Sequence, residues 1–244
     1  MLTPDEGYYF GLGAFETIAV EAGRPILLEK HLNRLQKAAD FLNISLKEKD
    51  VSDRIQDVLL LEEMQTGRKV IKVTLSEKNL TVTSRENTYT KEQYQKGVIT
   101  DFSTVARNET SPFTFHKTLN YGDCIQQKRL AKQRSIDEPI FLNTKGMIAE
   151  GACTNVFFVH NGQLYTPEKH CGLLPGIMRA YICDHYDVKK EEIFPSHLSF
   201  FDEMFVTNSL LGIMPVVSLG EHRFPSRKVG DQLLQEYMQF CKHY

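Results

Sequence analysis

Between Ala106 and Pro112 the chain drops every periodic pattern that it keeps on either side. Arg107, Asn108 and Glu109 crowd there, followed by Thr110, Ser111 and Pro112. Such a polar run buries no face, and its proline removes a backbone donor, so it reads as a connection between two folding units. A length of 244 residues suffices for two modest domains. The expected division is a small N-terminal α/β domain over 1–106, a linker over 107–114 and a larger domain over 115–244.

In the first part, Gly11-Leu12-Gly13 leads into Ala14–Val20, which alternates and is rich in strand formers. Glu21–Arg24 is a turn and Pro25–Leu28 a return strand, which makes a hairpin. The glycine pair has no third glycine and no following helix, so it is not a dinucleotide fingerprint. No clear strand precedes it. Glycines before a strand more often let backbone pass close to something, here a ligand. Leu28–Asn43 carries an apolar stripe at helical spacing: Leu28, Leu32, Leu35, Ala39 and Leu42. His31 and Arg34 flank that stripe. Either both are boundary residues with solvated heads, or Arg34 grips an anion with two nitrogens. Asp50 to about Met64 is a second amphipathic helix with Asp50 as its candidate cap. Strands over Lys69–Leu75, Leu80–Thr83 and Gly97–Thr100, with a short helix or loop over Lys91–Lys96, complete this part.

Lys117 follows the extended approach Thr110–Phe115 and precedes a helix over Tyr121–Arg134. With Phe113, Phe115 and Leu119 around it, its ammonium is poorly solvated and its amine becomes nucleophilic, as needed to hold an aldehyde as a Schiff base. On this stretch alone, a lysine snorkelling to solvent is the commoner reading. Strands over Pro139–Leu142 and Met147–Gly151 flank the turn Asn143–Gly146. Strands over Thr154–Val159 and Gln163–Tyr165 flank the turn His160-Asn161-Gly162. Glu150 ends a strand in apolar company and needs either a cation or access to solvent. The run from Cys171 to Arg179 is a glycine-bearing turn into a helix that reaches Tyr186. The N–H groups of Ile177 and Met178 open that helix and favour an anion, although a plain loop is the commoner reading of such a turn. A strand over Glu203–Thr207 ends in Asn208-Ser209, polar residues suited to the same anion. Met214–Val217 is a strand and Val229–Lys242 a closing helix.

Composition narrows the class. Apolar residues make up 41% and charged residues 25% of the chain, and its net charge is -2. With no basic excess to neutralise phosphates, nucleic-acid and membrane-surface roles are not expected. Met1–Glu6 has neither a basic nor an apolar run, and no stretch reaches the roughly 20 apolar residues of a spanning helix, so a cytoplasmic protein is expected. Five cysteines without a CxxC pair point to reduced structural thiols, with no metal site expected.

Six segments fall in a recognisable order: Gly11–Thr17, His31–Leu35, Lys117–Asn120, Glu150–Phe157, Leu174–Arg179 and Phe205–Ser209. Together they resemble the fold-type IV pyridoxal phosphate enzymes, the class-IV aminotransferase group, over nearly the whole chain. The resemblance implies an α+β enzyme of two domains, a small N-terminal α/β domain and a larger C-terminal pseudo-barrel, forming a homodimer. It implies that Lys117 carries the cofactor covalently and serves as the base. Arg34, the N–H groups of Ile177 and Met178, and the Ser209 hydroxyl would hold its phosphate. Glu150 would meet the pyridine nitrogen and Leu174 the ring face. On the substrate side stand Thr17, near a departing group; Phe15, where the D-amino-acid enzymes place a tyrosine; and Arg107, a candidate for a substrate carboxylate. The small-molecule substrate implied first is 4-amino-4-deoxychorismate, split to 4-aminobenzoate and pyruvate for folate synthesis. The alternative is amino transfer on D- or branched-chain amino acids.

Overall fold

The structure is a computed structural model and describes residues 2–244. The chain forms two compact units. One contains the residues up to Thr88 together with His116–Tyr121 and Phe240–Tyr244; the other contains Tyr89–Phe115 and Gly122–Gln239.

The first unit opens with a short helix, α1 (Glu6–Phe10), which the sequence did not announce. Asp5 caps its start by accepting from the Tyr8 N–H at 3.1 Å, and Gly11 ends it in the left-handed conformation. Strand β1 (Gly13–Glu21) follows, then the two-residue β2 (Arg24–Pro25). Ala22 and Gly23 both have positive φ, 48° and 82°, the twist that a tight hairpin requires. The return strand is shorter than expected because Leu27 turns left-handed (φ 54°) and helix α2 (Leu28–Phe41) starts at once. Helix α3 (Glu48–Leu59) begins after Lys47, so Asp50 lies inside its first turn and is not its cap; a carboxylate there still favours the helix dipole. A 3-10 turn over Glu62–Met64 ends the second predicted helical stretch. Strands β3 (Arg68–Ser76) and β4 (Leu80–Glu86) complete a sheet of order β2-β1-β3-β4. Antiparallel pairing runs the whole length of β1, from Gly13 opposite Ser76 to Glu21 opposite Arg68. Ile18, Leu35, Ile55, Met64 and Ile71 fill the core between this sheet and the two long helices.

The second unit starts with α4 (Lys91–Lys96) and β5 (Val98–Phe102). Strand β5 was expected in the N-terminal domain, but it lies between two strands of the second sheet and runs parallel to both. After α5 (Gly122–Gln133) come β6 (Glu138–Leu142), β7 (Ile148–Gly151), β8 (Asn155–His160) and β9 (Gln163–Pro167). Helix α6 (Ile177–His185), β10 (Val188–Glu191), β11 (Glu203–Asn208), β12 (Gly212–Leu219), β13 (His222–Arg223) and α7 (Lys228–His243) follow. The path through the sheet is β10-β9-β8-β11-β12-β5-β6-β7, with β13 on β12, and the sheet curls into a half-barrel that brings β7 back beside β8. Asn161 and Gly162, both at positive φ, make the predicted β8–β9 turn. No helix among the described residues is long and apolar enough to cross a membrane. None of the five cysteines forms a disulfide.

Candidate active site

In the first unit, the segment around Lys117 is held on the open edge of β1. The Phe15 N–H donates to the Lys117 carbonyl at 3.0 Å, and the Leu119 N–H donates to the Gly13 carbonyl at 2.7 Å. The His116 ring stacks on Phe41 at 4.2 Å. This docking explains the glycine pair. A Cβ on Gly13 would stand 2.6 Å from both the Leu119 side chain and the Leu75 carbonyl oxygen. Gly11 accepts from the Asn120 amide at 2.9 Å. What passes close to these glycines is therefore the chain just after Lys117, at Leu119 and Asn120.

Lys117 itself is half-buried among rings. Its Nζ lies 4.3 Å from the centre of the Phe15 ring and 4.7 Å from that of Tyr121, and 3.5 Å from the Tyr121 hydroxyl. Phe15 and Tyr121 meet edge to face at 5.2 Å. Thr17 shares the Phe15 face of β1 by strand alternation and is half-buried. On the opposite face Glu16 is buried and takes three donors. Arg34 reaches it through Nε at 2.6 Å and Nη2 at 2.7 Å, and His31 Nδ1 lies 2.6 Å from Oε2. Burial alone would raise the Glu16 carboxyl, but Arg34 and His31 overcome it and bring the pKa down to about 2. Burial also pushes the His31 pKa down, only partly opposed by Glu16. Arg34 is raised: Glu16 more than offsets the burial of its guanidinium.

In the second unit, Glu150 ends β7 opposite Phe141 of β6 and is buried. Its Oε1 takes Arg107 through Nε and Nη2, each at 2.9 Å. Its Oε2 takes the Leu174 N–H at 2.9 Å and the Asn155 amide at 3.5 Å. The cation that a buried carboxylate needs is thus Arg107. Its position was read as linker, but its backbone N–H donates to the Leu142 carbonyl at 2.7 Å. Leu174 is buried, and Asn155 also donates to its carbonyl at 2.9 Å. Ile177 and Met178 open α6, whose first turn carries no side-chain cap. The Asn155 Oδ1 lies 2.0 Å from where a Cβ on Gly176 would be, so only glycine lets this turn settle on Asn155. Ser209 is half-buried just beyond β11. Asn208 accepts from the Leu210 and Leu211 N–H groups, each at 2.9 Å, and fixes that turn.

Four participants were missed as site residues in the sequence reading. Glu16 is legible afterwards: it falls in the inward series Ala14-Glu16-Ile18, where a carboxylate demands cations. Asn155 opens an otherwise apolar strand and, as a buried polar residue, needs partners. Thr207, its partner across β11 and β8, has a buried Oγ1 without a hydrogen bond. Tyr121 gave no signal beyond its nearness to Lys117 in sequence. The residue types suit pyridoxal phosphate: the first unit offers a primary amine among rings and a guanidinium, and the second, by itself, a held carboxylate and an uncapped helix start preceded by glycine.

A two-domain α+β fold with these groups defines a fold-type IV pyridoxal phosphate-dependent enzyme. A family model for class IV amino-transferases matches residues 13–219, and the chain belongs to that family. It is 25% identical to the aminodeoxychorismate lyase of Bacillus subtilis (strain 168), over 93% of this chain and 84% of that protein. It is 29% identical to a Thermotoga maritima protein named "Probable branched-chain-amino-acid aminotransferase", over 88% of this chain and 80% of that protein. In fold it is similar to a crystal structure of 4-amino-4-deoxychorismate lyase from Pseudomonas aeruginosa. The TM-score is 0.85 at 23% identity, covering 98% of this chain and 94% of that one.

Proposed function

We propose that the protein is a 4-amino-4-deoxychorismate lyase that releases 4-aminobenzoate and pyruvate for folate biosynthesis, acting as a cytoplasmic homodimer on this small-molecule substrate. The likeness to the Bacillus lyase along most of both chains carries this reading. Phe15 supports it: its ring offers Lys117 an apolar wall and no hydroxyl where the D-amino-acid enzymes place a tyrosine.

Bound pyridoxal phosphate supplies an electron sink that acidifies the carbon bearing the substrate's amino group. Lys117 would hold the cofactor and would serve as the base that takes the proton from C4 of the substrate ring. Pyruvate departs as its enol and the ring becomes aromatic. Arg34, the N–H groups of Ile177 and Met178 and the Ser209 hydroxyl would hold the phosphate, and Leu174 would meet the pyridine face. Glu150 would meet the pyridine nitrogen and favour its protonated form. Thr17 lies near the departing group, and Phe15 shapes the substrate side.

A second reading, amino transfer on branched-chain or D-amino acids, is favoured by the higher identity to the Thermotoga protein. Incubation with 4-amino-4-deoxychorismate separates the two. The lyase forms 4-aminobenzoate in proportion to enzyme, and Lys117→Ala abolishes it. Absence of that product, with amino exchange between an amino acid and 2-oxoglutarate, establishes the aminotransferase instead. Sedimentation of the purified protein tests the dimer.

A further inference from the structure

The grip of Arg107 on Glu150 gives the arginine a different task from binding a substrate. We propose that Arg107 is a positioning residue that orients the Glu150 carboxylate, and is not a receptor for a carboxylate of the substrate. The inference rests on the reading above, in which Glu150 stands at the pyridine nitrogen.

Three observations carry it. Arg107 is pinned from its backbone outward. Its N–H is bonded to Leu142, it forms an isolated parallel bridge with Asn143, and its guanidinium lies 5.9 Å over the Phe141 ring. Phe141 is the residue opposite Glu150 in the β6–β7 ladder, so sheet register places the cation beside the carboxylate. The Nε–Nη2 edge, the fork best suited to a carboxylate, is directed at Glu150, and Nη1 turns to the Cys124 sulfur at 3.4 Å. Finally, the two carboxylate oxygens are divided: Arg107 holds Oε1, while Leu174 and Asn155 hold Oε2. A carboxylate fixed at both oxygens cannot rotate, and an oriented counter-ion is what a ring nitrogen needs. Lysine would return the charge but not the two-nitrogen grip.

The test compares R107Q, R107K, E150Q and R107Q/E150Q as holoenzymes. It reads the visible absorption of bound pyridoxal phosphate and its affinity by spectral titration. R107Q should move the visible band in the same direction as E150Q and weaken affinity about ten- to hundredfold. R107K should fall between R107Q and the parent. The double variant leaves no buried carboxylate unpaired, which keeps the test available if R107Q alone folds poorly. It should do no worse than E150Q. A normal band and affinity in R107Q, with both changed in E150Q, overturns the positioning role alone. So does a double variant at least about tenfold weaker than E150Q. An unchanged band in E150Q overturns the placement of Glu150 at the ring nitrogen and this inference with it.

Discussion

Glu16 carries an unusual load for one side chain. It is buried on the inward face of β1 and ties that strand to α2 through both Arg34 and His31. Removing its charge leaves a guanidinium that is mostly buried and has lost its carboxylate, a change that costs about 3–5 kcal/mol in comparable pairs. Glu16→Gln should therefore lower the urea midpoint markedly, and an unchanged midpoint would show that Arg34 finds another anion. The pH dependence has a definite sign. Glu16 titrates near 2 when folded, against its ordinary 4.5, so the folded state holds fewer protons than the unfolded chain between those values. Stability from this group is present above 4.5 and is lost as pH falls towards 2, on the order of 3 kcal/mol in all. His31, also depressed from 6.5, acts in the same direction but begins earlier, as pH falls below 6.5. His31→Asn should remove the loss that begins below 6.5 and leave a smaller lower limb, because His31 also helps to hold the Glu16 carboxyl down, as read from unfolding midpoints in a pH series. At this scale, the residue types of the site were legible in the sequence, but the partners were not. The rings around Lys117 include Phe15, contributed by a strand far back in the chain.

Among the elements, α6 depends most on a single position. Gly176 has φ -71° and ψ 147°, a conformation any residue adopts, so backbone freedom is not why glycine is there. The reason is contact: a Cβ would press on Asn155 Oδ1, and Asn155 in turn holds Leu174 and Glu150. Gly176→Ala should displace the start of α6 at a cost of about 1–3 kcal/mol, as overpacked sites do. It should also weaken pyridoxal phosphate binding about tenfold, since each hydrogen bond to a charged phosphate contributes about 1.5–3 kcal/mol. Spectral titration reads this directly, and parental affinity in the variant would remove the α6 turn from the phosphate site. Most long elements were visible from periodicity: β1, α2, β3, β8 and α7 lie close to where their patterns put them. The failures share a cause. Strand β2 stops at Pro25 because Leu27 turns left-handed, and α1 is too short to show a stripe. Asp50 looked like a cap by residue type, whereas Lys47, with no side-chain bond, occupies that position. Local backbone choices of this kind leave little trace in an apolar pattern.

For the whole molecule, a linear reading places the boundary where polarity peaks, near Arg107, but the compact units are assembled from separated pieces of chain. Nothing in the Gly97–Thr100 alternation says which sheet β5 will join; pairing with β6 and β12 decides it. Likewise the first unit takes in His116–Tyr121, whose pairing with β1 is non-local and invisible to periodicity. A fragment ending at residue 106, the boundary that polarity suggests, therefore lacks a structural part of that unit. The consequence is local and measurable. In the intact chain the Phe15 N–H is bonded to the Lys117 carbonyl, while Ile18, on the same strand, lies opposite Ile71 of β3. Hydrogen exchange should protect both amides in the full-length protein. In the fragment Ile18 keeps its partner strand and serves as the internal reference, whereas Phe15 should exchange at least about tenfold faster relative to it, because its acceptor is gone. Equal Phe15 protection in both would mean that β1 closes its own edge without the lysine segment. The position of Lys117 would then have to be fixed by something other than the strand it is bonded to.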